Sequence, residues 1–118
     1  MGRKQYLFHT TTPENAKHIL REGLKRENGF CCYLSERPFS WWKPGMVILR
    51  IRITGLKDLH VSPEEGLDEI LSFEDISPLR IHEYKPTRKE LLQGYENFYN
   101  HFREVTKMMD KADKEAGE

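Results

Sequence analysis

The sequence predicts a small α+β domain, and three observations lead to that class. Short apolar segments bounded by turn residues indicate β-strands. In the clearest of them, residues 46–54, the side chains of Leu49, Ile51 and Ile53 alternate with polar ones. A short amphipathic helix is expected after the first strand and a long one near the end of the chain. With 118 residues, the chain has room for one domain and little more.

The N-terminal part is predicted to form a strand, a tight turn and a short helix. Residues 5–10 are rich in aromatic side chains, as is typical of a strand. Thr12 followed by Pro13 is typical of a helix N-terminus, because threonine caps the free amides and proline fits the first helical position. Gly23 suits the left-handed conformation that ends a helix. Further short strands are predicted at residues 30–35, 46–54, 59–61, 69–73 and 79–84.

The C-terminal part is predicted to be one long amphipathic helix. Thr87 and Glu90 match a capping box, in which each side chain satisfies a backbone amide of the other residue. Apolar side chains then recur at spacings of three and four residues, and this stripe either packs on the sheet or forms the seam of a homodimer. The expected organisation is a single domain over residues 1–118, with a core at 5–86, the helix at 87–110 and a frayed tail at 111–118.

Composition and cysteine content favour a cytoplasmic protein. No apolar run approaches the roughly 18 residues of a membrane span, and the first residues lack the apolar region of a signal peptide. The two cysteines, Cys31 and Cys32, are neighbours on a predicted strand and point to opposite faces, which disfavours a disulfide between them. Because the histidines also lack the spacing of a metal site, we predict no metal and no membrane partner.

Charge is distributed unevenly along the chain, although its formal net charge is zero. Residues 1–57 contain 11 Lys and Arg against 4 Asp and Glu, whereas residues 58–118 contain 8 against 15. One interpretation is that the two halves attract each other within the fold. The other is that the basic half forms a face that binds a phosphate-bearing ligand.

Three polar residues interrupt otherwise apolar predicted strands. His9 lies near the end of the first strand, Tyr33 lies within the second, and Glu69 opens a later one. The sequence contains no glycine-rich phosphate loop, no Gly-x-Ser-x-Gly and no His-Glu-x-x-His motif. On spacing alone, such residues are more often held by local hydrogen bonds than used in catalysis.

The order of these residues resembles that of the ADP-ribosyltransferase superfamily. Residues 6–24, which begin Tyr-Leu-Phe-His-Thr, resemble its opening strand with a histidine and the helix that follows. Cys-Tyr-Leu-Ser-Glu at residues 32–36 resembles the second strand with its tyrosine. Glu-Ile-Leu-Ser-Phe at residues 69–73 resembles the strand that begins with the catalytic glutamate. The small bacterial and phage branches, which include DNA-modifying toxins and RNA 2′-phosphotransferases, are the most similar.

This resemblance implies a split β-sheet that holds NAD and an enzyme that transfers ADP-ribose to a macromolecule, either nucleic acid or protein. In such an enzyme Glu69 is catalytic, because its negative charge opposes the positive charge that develops on the ribose as nicotinamide leaves. His9 would hydrogen-bond the adenosine-side ribose, and Tyr33 would stack on nicotinamide. Arg37 and Arg50 would balance the pyrophosphate. The other implied NAD contacts are Thr10 and Ser35.

Two other functions fit the same sequence. The small size and the aromatic C-terminal helix suit a non-catalytic module of the same fold that binds a nucleotide or a partner protein. The basic half suits a nucleic-acid-binding protein in which Trp41 and Trp42 stack on bases. In the enzyme, the same tryptophan pair is expected at the mouth of the cleft, where it contacts the substrate. The alternative is that the pair covers the edge of the core.

Overall fold

The computed structural model describes the backbone of residues 5–116 and the side chains of residues 5–109, and it divides the chain into two compact units, Met1–Lys85 and Pro86–Glu118. The sequence predicts one domain, with its core ending at residue 86. The boundary between the two units therefore lies within one residue of the predicted start of the C-terminal helix.

The first unit contains two antiparallel sheets of three strands each, and one helix. The predicted α+β class is therefore confirmed, although most strands are shorter than predicted. The elements are, in chain order, β1 (Tyr6–Thr11), α1 (Pro13–Glu22), β2 (Cys32–Leu34), β3 (Val47–Arg52), β4 (Leu59–Val61), β5 (Ile70–Ser72), a 3₁₀ turn (Pro78–Arg80) and β6 (Ile81–Glu83). One sheet has the order β1-β3-β6 and the other the order β2-β5-β4.

The core of this unit is built from both sheets and from α1. Leu7 and Ile51 are cross-strand neighbours on β1 and β3, and both are almost completely buried. Helix α1 contributes Ala16 and Ile19, and β2 contributes Leu34. Burying a side chain of the size of leucine or isoleucine stabilises the fold by about 1.5–3 kcal/mol. This shared core fixes the position of the two sheets relative to each other.

Helix α1 begins and ends at the predicted residues. Thr12 accepts a hydrogen bond from the backbone amide of Asn15 at 3.2 Å, with Pro13 in the first turn. Gly23 follows the last turn with a φ of 92°. A Cβ atom at this position would lie 2.4 Å from the carbonyl oxygen of Ile76, so glycine is required here on two grounds, conformation and space.

The two sheets meet at a single backbone bridge. The amide of Phe8 donates to the carbonyl of Ser35, and the amide of Ser35 donates to the carbonyl of Phe8, each at 2.8 Å. The bridge is isolated, and it joins β1 to the residue that follows β2. The space beside this bridge contains the candidate site.

The second unit contains helix α2 (Arg88–Ala116). Its capping box is confirmed, because Thr87 and Glu90 each accept a hydrogen bond from the other's backbone amide, at 3.1 and 3.0 Å. The helix extends six residues beyond the predicted end at residue 110, and residues 111–116, predicted as a frayed tail, are helical. Residues 117 and 118 lie outside the described residues. Within the described part of the chain, no helix is both long and apolar enough to cross a membrane.

Candidate functional site

Six of the nine predicted site residues line one cavity in the first unit. The cavity has a volume of about 190 Å³. His9 lies on β1, Tyr33 lies on β2, and Glu69 immediately precedes β5, so residues far apart in sequence are brought together. The lining residues are Phe8, His9, Thr10, Tyr33, Leu34, Ser35, Trp41 and Glu69.

Strand register explains why Glu69 reaches this cavity. On β2 and β5, Tyr33 pairs with Leu71 and Leu34 pairs with Ile70. Extending this antiparallel register by one residue places Glu69 opposite Ser35, which is bridged in turn to β1. The residue that precedes β5 therefore lies next to the junction of the two sheets, and this places Glu69 at the cavity.

The ring of His9 is held in one orientation. Its Nδ1 lies 2.8 Å from the carbonyl oxygen of Tyr33. Since a carbonyl oxygen only accepts hydrogen bonds, Nδ1 carries the proton, and Nε2 is left as an acceptor. Burial lowers the pKa of His9, and the bond to Tyr33 opposes that effect only in part. The imidazole is therefore neutral near pH 7 and can accept a hydrogen bond from a ligand hydroxyl.

Tyr33 presents an aromatic surface to solvent and to the cavity. Its side chain is 43% exposed. Hydrogen bonding with Cys31 is the largest cause of a raised pKa at Tyr33, and the charges of Cys31, Glu27 and Glu69 act in the same direction. The phenol is therefore neutral at physiological pH, and its ring is available to stack on a flat ligand.

Thr10 and Ser35, which both line the cavity, differ in the hydrogen bonding of their hydroxyl groups. The Oγ1 atom of Thr10 is buried and has no hydrogen-bond partner among the described residues. Buried polar atoms in native proteins almost always have a partner, so this hydroxyl is a candidate contact for a ligand. Ser35 differs, because its hydroxyl donates to the carbonyl of Arg37 at 2.9 Å and so helps to fix the following turn.

Asp68 organises the turn that follows β2, and sequence analysis did not identify it. Its carboxylate accepts hydrogen bonds from the amides of Glu36 and Arg37, at 2.7 and 2.9 Å, and from the hydroxyl of Ser40. Its main-chain oxygen accepts from Nε1 of Trp41 at 2.9 Å. Partial burial raises the pKa of Asp68, but the bonds from Ser40, Glu36 and Arg37 outweigh it and lower that pKa overall. Asp68 is therefore ionised at neutral pH.

A second cavity of about 300 Å³ adjoins the first. Glu69 lines both cavities, so this residue lies where they adjoin. Arg37, predicted to bind the pyrophosphate, lines the second cavity and not the first. The remaining lining residues are Glu36, Val61, Gly66, Leu67, Asp68 and Ile70.

Two predicted site residues lie elsewhere. Arg50 lines neither cavity, because its guanidinium carbon lies 4.5 Å above the ring of Tyr6 in a cation–π contact. Trp42 is only 8% exposed, and its Nε1 donates to the carbonyl of Met46 at 3.1 Å. The interpretation of the tryptophan pair as a cover for the core therefore holds for Trp42, whereas Trp41 is 46% exposed at the cavity.

The cysteines do not contribute a nucleophile to the site. Cys31 and Cys32 are both free and buried. Burial is the main cause that raises the pKa of Cys32 to about 11, so its reactive thiolate form is scarce at neutral pH. Among the described residues, no group of three or more His, Cys, Asp or Glu could hold a metal ion.

Comparisons of the chain with protein-family models, with curated proteins and with solved structures gave no match. The functional proposal therefore rests on the geometry of the cavity and on the order of its residues.

Proposed function

We propose that the chain is an ADP-ribosyltransferase-like enzyme that uses NAD and transfers ADP-ribose to a macromolecule. The observation that supports this function is that His9, Tyr33 and Glu69 line a single cavity. Their order along the chain is the one that the superfamily resemblance implies. A carboxylate that shares a cavity with the imidazole of His9 and the phenol ring of Tyr33 suits a reaction whose transition state carries positive charge on a sugar.

The size of the cavities is compatible with NAD bound across both. A site for a whole drug-sized ligand usually measures about 300–1,000 Å³. The first cavity, at about 190 Å³, suits one flat ring, and the two cavities together fall within that range. Glu69 lines both, so its carboxylate can lie beside a bond that joins a ring in the first cavity to a sugar in the second.

The proposed reaction assigns a distinct role to each residue. The bond between nicotinamide and ribose breaks, its electron pair stays with the nicotinamide nitrogen, and the ribose carbon becomes positively charged. The carboxylate of Glu69 stabilises that charge, and a nucleophile of the acceptor then bonds to the carbon and releases a proton. Nε2 of His9 accepts a hydrogen bond from a ribose hydroxyl, and the ring of Tyr33 stacks on nicotinamide.

Release of nicotinamide tests this proposal. The purified chain is incubated with NAD, alone and with DNA, RNA or protein extract, while calorimetry measures NAD binding. The expected result is NAD binding and nicotinamide release that one class of acceptor accelerates. NAD binding without release over hours would favour the non-catalytic module, and an absence of NAD binding would overturn the proposed function.

A second candidate function, nucleic-acid binding, is supported by the solvent-exposed face of the β1-β3-β6 sheet. Strand register places Arg52 opposite Tyr6 and His82 opposite Arg50. Arg50, Arg52 and His82 are exposed, and no ion pair between described residues involves either arginine. Exposed arginines beside an aromatic side chain suit the phosphates and bases of a single strand. In this second function, the sheet face around Tyr6 takes the stacking role that the sequence predicts for Trp41 and Trp42.

The salt dependence of oligonucleotide binding tests this second function. Each phosphate contact contributes about 0.7 to the slope of log affinity against log salt for a single strand. Replacing Arg50 and Arg52 with alanine should weaken binding and reduce that slope by about 1.4. Arg21→Ala, which removes an exposed arginine from α1, should change neither. Equal slopes in all three proteins would exclude this face as the binding surface.

A further inference from the structure

Besides one bond from the hydroxyl of Ser35 to the carbonyl of Arg37, the turn at residues 36–41 is anchored by Asp68. Two consecutive backbone amides and one hydroxyl of the turn donate to its carboxylate, and the indole of Trp41 donates to its main-chain oxygen. The turn follows β2 directly and contains no helix or strand, so these bonds take the place of a regular backbone ladder.

Asp68 also connects this turn to the carboxylate of the candidate site. Glu69 is its direct neighbour in the chain, and Glu69 and Trp41 line the same cavity. The indole of Trp41 is therefore linked to Glu69 through Asp68, by one hydrogen bond of 2.9 Å and one peptide linkage. Trp41 is 46% exposed, so nearly half of its surface is not held by packing.

We propose that Asp68 is a positioning residue that holds the indole of Trp41 as a wall of the cavity, so that a flat aromatic ring of the substrate binds beside Glu69. The position of the indole is a property of the fold alone. Its effect on the binding of the nicotinamide ring rests on the proposed function.

The chemistry of the carboxylate predicts that asparagine is a poor replacement for Asp68. Both carboxylate oxygens accept, and together they satisfy three donors. Asparagine has the same shape, but its NH₂ group donates, so at least one amide or hydroxyl of the turn would face another donor. Asp68→Asn therefore disrupts the bonds of the carboxylate to the turn with almost no change in volume. It leaves in place the main-chain oxygen that accepts from Trp41, so a displacement of the indole would follow from displacement of the turn.

The fluorescence of Trp41 tests the positioning role without any substrate. In a Trp42→Phe background, Trp41 is the only tryptophan. Adding Asp68→Asn should shift its emission to longer wavelength and make acrylamide quenching stronger. Asp75→Asn is the matched control, because Asp75 accepts from the backbone amide and the Nε of Arg26, at 2.9 and 3.2 Å, and lines neither cavity. It should leave Trp41 unchanged.

Kinetics with NAD test the consequence for the substrate. Asp68→Asn should raise KM for NAD by about 10- to 100-fold with a smaller change in kcat, because misplacement of a positioning group by about 1 Å can cost 10²-fold. Asp75→Asn should leave KM unchanged. Ser40→Ala, which removes only one donor to the carboxylate, should act in the same direction as Asp68→Asn but less strongly, and it serves as the test if Asp68→Asn fails to fold.

The two readouts separate the two claims. Unchanged quenching of Trp41 in both the Asp68 and the Ser40 variants would overturn the positioning role. Stronger quenching with no NAD turnover by the unmodified chain would support the positioning role and count against the proposed function. Stronger quenching with an unchanged KM would overturn the claim that the indole binds the ring.

Discussion

The Nδ1 atom of His9 donates to the carbonyl oxygen of Tyr33 over 2.8 Å and thereby links the two sheets at the wall of the cavity. The bond connects β1 to β2, one residue beyond the backbone bridge at Phe8. It fixes the tautomer of the imidazole and leaves Nε2 as the acceptor. The same contact thus contributes to the joining of the sheets and to the chemistry of the site.

Burial of His9 should make stability depend on pH between 7 and 5. Its pKa is lower in the folded state than in the unfolded chain, so the unfolded chain binds a proton first as the pH falls. The free energy of unfolding should therefore decrease, by at most about 1.4 kcal/mol per pH unit from this one group. Urea denaturation at pH 7, 6 and 5 should show a shallower decrease for His9→Gln than for the unmodified chain. Parallel decreases would contradict the assignment.

The ring of Tyr33, and not its hydroxyl, should determine NAD affinity. Tyr33→Phe should bind NAD almost as tightly as the unmodified chain, whereas Tyr33→Ala should lose about 1–3 kcal/mol, the usual value of a stacked base. Since the side chain is 43% exposed, both variants should keep the fold, which circular dichroism checks. Calorimetric titration with NAD measures the difference. Equal loss in both variants would show that the hydroxyl is the binding group.

Gly23 should tolerate alanine far less well than Gly29. Both have a positive φ, but a Cβ at Gly23 meets the Ile76 carbonyl oxygen at 2.4 Å, whereas a Cβ at Gly29 meets no atom within 4 Å. Gly29→Ala should cost about 1 kcal/mol from backbone conformation, and Gly23→Ala should cost about 1–3 kcal/mol more. Thermal and urea unfolding measure both. A similar cost at the two positions would refute the proposed close contact.

Asp75 should stabilise the fold at neutral pH and lose this effect in acid. The backbone amide of Arg26 is the main cause of the lowered pKa of Asp75, and the guanidinium of Arg26 adds to it. A carboxyl group whose pKa is lower in the folded state stabilises above its unfolded pKa, and that stabilisation disappears as the pH falls through the folded pKa. Asp75→Asn should be less stable than the unmodified chain at pH 7, and the two should converge as the pH falls through the folded pKa of Asp75. A constant difference across this range would exclude the ionised carboxylate as the cause.

Much of the fold could be predicted because its signals are local. Thr12 and Pro13 at the start of α1, Gly23 at its end, and the capping box of α2 each depend on residues within one helical turn. On β3, the alternation of apolar and polar residues directly indicates which face of the strand is buried. The apolar stripe on which the prediction of α2 rests ends at Met109, so it gives no signal for the charged residues 111–116, which are helical as well.

The candidate site was predictable only in part. The shared cavity of His9 and Glu69 agrees with the residue order on which the prediction rests. Asp68 was missed because its partners lie about 30 residues earlier and no local pattern links them. Arg50 was misplaced because alternation shows only that a side chain leaves the core, and the ring of Tyr6 then sets its direction. Trp42 was misplaced because neighbouring tryptophans can lie in different environments within an irregular segment.

The most direct test of the proposed function is nicotinamide release from NAD by Glu69→Gln, with Glu65→Gln as the matched control. Glu65 is an exposed glutamate four residues earlier, and it lines neither cavity. Glu69→Gln should unfold at the same temperature as the unmodified chain and release nicotinamide at least about 10²- to 10³-fold more slowly, the usual cost of removing a transition-state charge contact. Glu65→Gln should release it at the unmodified rate. Undiminished release by a folded Glu69→Gln protein would contradict the assignment of Glu69 as the catalytic residue.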